Sequence, residues 1–163
     1  VRADPDLARD AGVLQAVRLS ADDARAAPAA LELAATSLGE AGADLLFDVW
    51  ASTAEKTDRT TLAKKLLDRD DVRERASRAL RLALELRRQR PCEEMRALVE
   101  DAVEYADERS ARPLGQLAAK SGCGLLGLGD CYPCLRRDNR IADALRAAQG
   151  RPAPRLVPVD GTR

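Results

Sequence analysis

The residues best equipped for chemistry in this sequence are its four cysteines. Cys123, Cys131 and Cys134 fall close together, and Cys92 stands alone upstream. Cys131 and Cys134 have the two-residue gap of zinc knuckles and of thiol–disulfide enzymes. Cys123 lies between Gly122 and Gly124, where the backbone can wrap around a sulfur-bound ion. Four thiolates from Cys92, Cys123, Cys131 and Cys134 would close one tetrahedral structural zinc site. The same residues would equally form two disulfides, with three possible pairings. A third reading is thiol-redox chemistry or redox sensing through Cys131 and Cys134, with Cys131 activated at a helix start. A fourth is four reduced, partly buried cysteines acting as small apolar side chains. Compartment separates these: bridges suit an extracytoplasmic setting, and zinc or free thiols suit the cytoplasm. The first three readings share one expectation, that the loop 122–131 is pinned to the helix start at Cys92.

The rest of the sequence narrows the chemistry. It has no histidine, which removes Ser/His and Cys/His nucleophile pairs and the usual general base near neutral pH. Gly124-Leu125-Leu126-Gly127-Leu128-Gly129 is glycine-rich, but no Lys-Ser/Thr follows, so it is no phosphate loop. The carboxylate pairs Asp70-Asp71 and Glu93-Glu94 sit at helix starts, where the macrodipole accounts for them. Arg73, Arg75, Arg78, Arg81, Arg87, Arg88 and Arg90 crowd one segment. Interleaved acids, such as Glu74 and Glu85, read as i,i+4 partners on a solvated face. Basic and acidic residues balance at 27 each, which argues against a nucleic-acid partner. No run approaches the twenty apolar residues of a membrane span. Val1-Arg2-Ala3-Asp4 opens no apolar signal segment, and the chain reads equally as a mature product or as a fragment.

The elements that would position the cysteines are helices. Aromatics make up 2% of the 163 residues, β-branched runs are absent, and Ala and Leu dominate. The fold class is therefore all-α, an antiparallel helical array, either solenoid-like or an irregular bundle, with a Cys-rich loop near the C-terminus. Periodicity predicts helices over 4–19 (capped by Asp4 or Asp6), from Pro28 to Leu38, from Asp44 through Trp50 and Thr53, and over 57–67. It predicts a longest helix over 72–89, then Cys92 to Ala106, Ser110 to Ala119 and Tyr132 to Gln149. Asp70 or Asp71 would cap the longest one, and Gly39 and Gly42 would break the chain before Asp44. Trp50 reads as core. Residues 1–150 read as a single helical domain, and 151–163, with three prolines, as an extended or disordered tail.

Ala30-Leu31-Glu32-Leu33-Ala34 recurs as Ala79-Leu80-Arg81-Leu82-Ala83, an offset suited to HEAT or armadillo units. Gly42-Ala43-Asp44-Leu45-Leu46-Phe47-Asp48-Val49-Trp50, Asp71-Val72-Arg73 with Ala79-Leu80, Gly122-Cys123-Gly124, and Asp130-Cys131-Tyr132-Pro133-Cys134-Leu135-Arg136 carry a further resemblance. Over about residues 28–155 the chain resembles helical modules of large δ-proteobacterial signalling proteins, often downstream of a Ser/Thr kinase domain. That resemblance implies a bacterial scaffold or sensing role, with no catalytic motif. The function expected from the sequence is a non-enzymatic protein–protein interaction module. A thiol-redox protein and a zinc-stabilised regulatory domain are the alternatives, and the cofactor is none or one structural zinc.

Overall fold

A computed structural model describes residue 8, residues 10–51 and residues 54–154. Among them are nine α-helices and no strand: α1 (Ala11–Asp22), α2 (Ala27–Ser37), α3 (Gly39–Ala51), α4 (Asp58–Leu67), α5 (Asp70–Arg75), α6 (Arg78–Glu85), α7 (Cys92–Tyr105), α8 (Glu108–Ala118) and α9 (Arg140–Gly150). The fold is all-α, with a Cys-rich region near its C-terminal end. No helix among the described residues is long and apolar enough to cross a membrane.

Local signals explain most boundaries and correct several. The first helix is capped by Asp10, whose carboxylate accepts the Val13 N–H at 2.9 Å, and it runs on to Asp22. The proposed caps Asp4 and Asp6 lie outside the described residues, as do Thr53 and 155–163 of the tail. Asp23 then accepts the N–H groups of Arg25 and Ala26, turning the chain into α2, which carries Pro28 in its first turn. Thr57 and Thr60 form a reciprocal capping box on α4.

Gly42 does not break the chain as expected. It lies inside α3, which begins at Gly39, and serves packing instead. A Cβ at Gly42 would stand 2.0 Å from the Ala34 carbonyl oxygen, so α3 lies almost on the backbone of α2. Asp44 falls in mid-helix and is buried.

The predicted helix over 72–89 is two helices. Ala76 and Ser77 adopt extended ψ of 151° and 154°, and the Ser77 hydroxyl accepts the Leu80 N–H at 3.1 Å. A good N-cap overrides the apolar periodicity that runs through the break. Asp70 and Asp71 occupy the first turn of α5, and its N-cap is Arg69. The predicted helix over 132–149 is also split, into a 3₁₀ turn at Pro133–Arg136 and α9.

The Ser77 break divides the chain into two compact units. One carries α1–α5 and the other is Ser77–Ala153. In the first, α2, α3 and α4 pack mutually around Leu31, Leu45, Leu46 and Leu67, and α1 lies on α2. In the second, α9 packs on both α7 and α8, burying Met95, Val99, Leu114, Ile141 and Ala144. The two members of the internal echo fall in α2 and α6. Both bury the second and fifth positions, Leu31 with Ala34 and Leu80 with Ala83, but they differ at the first and fourth, where Ala30 and Leu82 are buried and Ala79 and Leu33 are half-buried.

A buried ion pair fixes the second unit near its start. The Arg109 guanidinium holds the Asp107 carboxylate through Nε and Nη2, the latter at 2.6 Å, and also reaches the Ser77 hydroxyl at 3.4 Å. It thereby joins the first turn of α8 to the cap of α6.

Candidate functional site

The second unit holds all four cysteines, as two separate bridges. Cys92 bonds Cys134, and Cys123 bonds Cys131, each with a sulfur–sulfur distance of 2.06 Å. The two-residue pair of Cys131 and Cys134 therefore forms no bridge of its own; each half belongs to a different disulfide. Among the described residues no three Cys, Asp or Glu side chains gather into a metal-holding cluster. The four sulfurs stand as two couples, the arrangement of the two-disulfide reading.

The couples differ in setting. Cys134 is 6% exposed and lies in the core with Met95, Val99 and Leu135. The Cys92 sulfur also accepts the Cys134 N–H at 3.2 Å. This bridge ties the first turn of α7 to the Pro133–Arg136 turn across 42 residues. By contrast, Cys123 is exposed and Cys131 half-buried, and their bridge spans only eight residues. The loop is thus closed upon itself, and the staple to Cys92 lands just past it, at Cys134.

Backbone bonds tighten the closed loop. Cys123 and Gly129 exchange both N–H···O bonds, at 2.9 and 2.7 Å, as one antiparallel bridge. The approach requires glycine at 129, where a Cβ would meet the Cys123 carbonyl oxygen at 2.9 Å. Gly122 donates to Gly127 at 2.7 Å, and Gly127 donates to Gly124 at 3.2 Å. Between them the chain turns through left-handed conformations, including Leu126 at φ 63°. That is the one non-glycine residue with positive φ among the described residues, and holding a leucine there costs about 1–2 kcal/mol.

An ion pair anchors the loop's base. Arg136 grips Asp130 through Nε at 2.9 Å and Nη2 at 3.1 Å. The same guanidinium donates to the Leu117 and Ala119 carbonyls at the C-terminus of α8, at 3.0 and 2.7 Å. Asp130 also accepts the Tyr132 N–H at 2.9 Å. That N–H first, then Arg136 and the charge of Lys120, hold the Asp130 carboxyl below its ordinary range.

What this scaffold displays is apolar. Leu126 is 85% exposed and Leu128 is 76% exposed, and both side chains face solvent. Apart from Asp130, the residues between Cys123 and Cys131 carry no charge and no aromatic ring. The sequence reading saw this segment as a glycine-rich loop and excluded phosphate binding; it missed the leucines. Their signal was available in Leu126 and Leu128, set among glycines and enclosed by Cys123 and Cys131.

The other sequence-derived candidates serve local structure. Trp50 is half-buried rather than core, edge-on to Phe47 at 5.6 Å, with the Lys64 ammonium 5.1 Å from its ring centre. It lines a cavity of about 320 Å³ with Glu55, Lys56, Thr60 and Lys64. Glu93 and Glu94 sit in the first turn of α7, with Arg137 and Arg90 as respective partners. Of the crowded arginines, Arg75 donates to the Ala35 and Thr36 carbonyls at the end of α2, Arg78 stacks on Tyr105 at 3.4 Å, and Arg90 pairs with Glu85.

No family model, no curated protein and no solved structure matches the chain.

Proposed function

We propose that this chain is a non-enzymatic protein-binding module whose contact is the closed loop 123–131. The observation that carries the reading is the exposure of Leu126 and Leu128 on a loop that a disulfide, a backbone bridge and the Asp130–Arg136 pair hold rigid. Preorganisation lowers the ordering cost of binding. Burying a leucine contributes about 1.5–3 kcal/mol, so the two together match an interface hot spot. Leu126 in a left-handed conformation fits the habit of strained residues to gather where a molecule meets its ligands. A protein cleft suits this tip better than a lipid surface, which calls for basic and aromatic residues around the apolar ones. A scaffold role within a bacterial signalling assembly is consistent with the same surface, as is a HEAT-like ancestry of the α2 and α6 echo.

A photoreactive leucine analogue at position 126 tests the reading. In host extract it should capture one protein, and Leu128→Asp should reduce that capture at least about tenfold. Capture equal to that from the exposed position 93, or adducts formed with vesicle lipid instead of protein, would overturn it.

A further inference from the structure

We propose that the Cys123–Cys131 bridge is a thiol-operated latch on the apolar loop, which an external dithiol opens while Cys92–Cys134 stays closed. The proposal rests on reading the loop as a contact site, but its test needs no partner.

Access separates the two bridges. Exchange requires a thiolate to reach a bridge sulfur. Cys123 is exposed and Cys131 half-buried, whereas Cys134 is 6% exposed in the α7–α9 core and its partner Cys92 is half-buried at the start of α7, so the short bridge offers the more open sulfur. The reducing thiolate attacks the Cys123 sulfur, the bond to Cys131 breaks, and a mixed disulfide forms. The dithiol's second sulfur then displaces Cys123. Two electrons and two protons pass to Cys123 and Cys131, and the dithiol leaves as its own cyclic disulfide.

Opening has a defined consequence. Without the bridge, the loop's own backbone bonds are what the described residues set against relaxation of Leu126 from its left-handed state. The Cys131 side stays anchored, because Arg136 holds Asp130 to the end of α8. The Cys123 side is released, and Leu126 and Leu128 lose their fixed presentation. Since Cys131 does not move away, an oxidised dithiol can close the latch again.

The test treats the full chain with increasing dithiothreitol, traps free thiols with N-ethylmaleimide and maps them by peptide mass. Cys123 and Cys131 should be labelled at a dithiol concentration at least about tenfold below that for Cys92 and Cys134. At that point amide exchange at Cys123, Gly127 and Gly129 should rise at least about tenfold, with α7 and α9 unchanged. The Cys123→Ser/Cys131→Ser variant should show the same fast exchange with no dithiol. Joint labelling of all four cysteines would overturn the latch, and so would unchanged loop exchange after selective reduction or in the double variant. If these measurements hold while position 126 captures nothing from the oxidised protein, the contact reading fails and the latch stands. If capture holds but the labelling is joint, the latch alone fails.

Discussion

The two compact units solve one problem differently. The first has no cysteine and stabilises itself by proximity: Gly42 lets α3 lie against the Ala34 backbone, and Leu31, Leu45 and Leu46 fill the space around that crossing. The second has a long excursion between α8 and α9, built of glycines, tight turns and two 3₁₀ segments, whose stretch 120–131 puts no side chain into the core among the described residues. Covalent bonds replace the missing burial there. A helical unit that packs small residue on small residue has no need of crosslinks, whereas one that displays an apolar loop must hold it by other means.

Breaking the long staple should have the largest effect. Cys92→Ser/Cys134→Ser removes a link across 42 residues. It should lower stability by about 3–4 kcal/mol, read from denaturant unfolding. The equivalent change at Cys123 and Cys131 should cost nearer about 2 kcal/mol, because the closed segment is short. Equal losses would mean that chain entropy is not what separates the bridges.

Gly42→Ala strikes the first unit in the same spirit. The added methyl meets backbone, which cannot swing aside as a side chain would, so α2 and α3 must part. A loss of about 3 kcal/mol is expected, with faster amide exchange in both helices. A variant as stable as the parent would show that the crossing is looser than described.

Arginines close the helix ends in both units and offer a smaller lever. Arg59 donates to the Ala21 carbonyl of α1 and Arg75 to the end of α2. Arg136 serves α8, and Arg151 serves the Val103, Glu104 and Ala106 carbonyls of α7. Arg151→Ala should cost about 1–2 kcal/mol by thermal unfolding, since several carbonyls lose a charged donor together.

Acid should loosen the loop's base in the second unit. Asp130 has its folded pKa depressed by the Tyr132 N–H and Arg136. Its contribution is complete above the unfolded carboxyl value of about 3.9 and is lost as pH falls through the lower folded value. Exchange at Tyr132, corrected for intrinsic rates, should therefore quicken below about pH 4, and Asp130→Asn should remove that dependence.

The smallest effect on the fold should come from the residues placed at the contact. Leu126→Asp and Leu128→Asp should leave stability within about 0.5 kcal/mol, because neither side chain is buried. A large loss would recast the leucines as structural and sink the binding reading with them.

How far the sequence was legible depends on whether a signal was local. Thr57, Pro28 and Pro91 mark helix starts by their own side chains, and the starts of α2, α4 and α7 fall where those residues predict. The Ser77 break was missed because apolar spacing continues across it, from Val72 to Leu80 and Ala83. A hydroxyl that caps and a hydroxyl that merely faces solvent look alike in one dimension. Arg75 was read as part of a solvated face because its further target, the carbonyls at the end of another helix, has no sequence signature. Gly42 was read as a breaker for a similar reason: what it accommodates lies on a neighbouring helix.

By itself, the sequence determined an all-α chain, the cores of its helices and the four sulfurs that could be joined. Those follow from propensity, periodicity and residue type, which act within a few turns of backbone. Only the tertiary structure decided which sulfur meets which, and that Leu126 and Leu128 stay outside. Pairing and exposure depend on distances between segments far apart along the chain, and those distances are set when α7, α8 and α9 pack together.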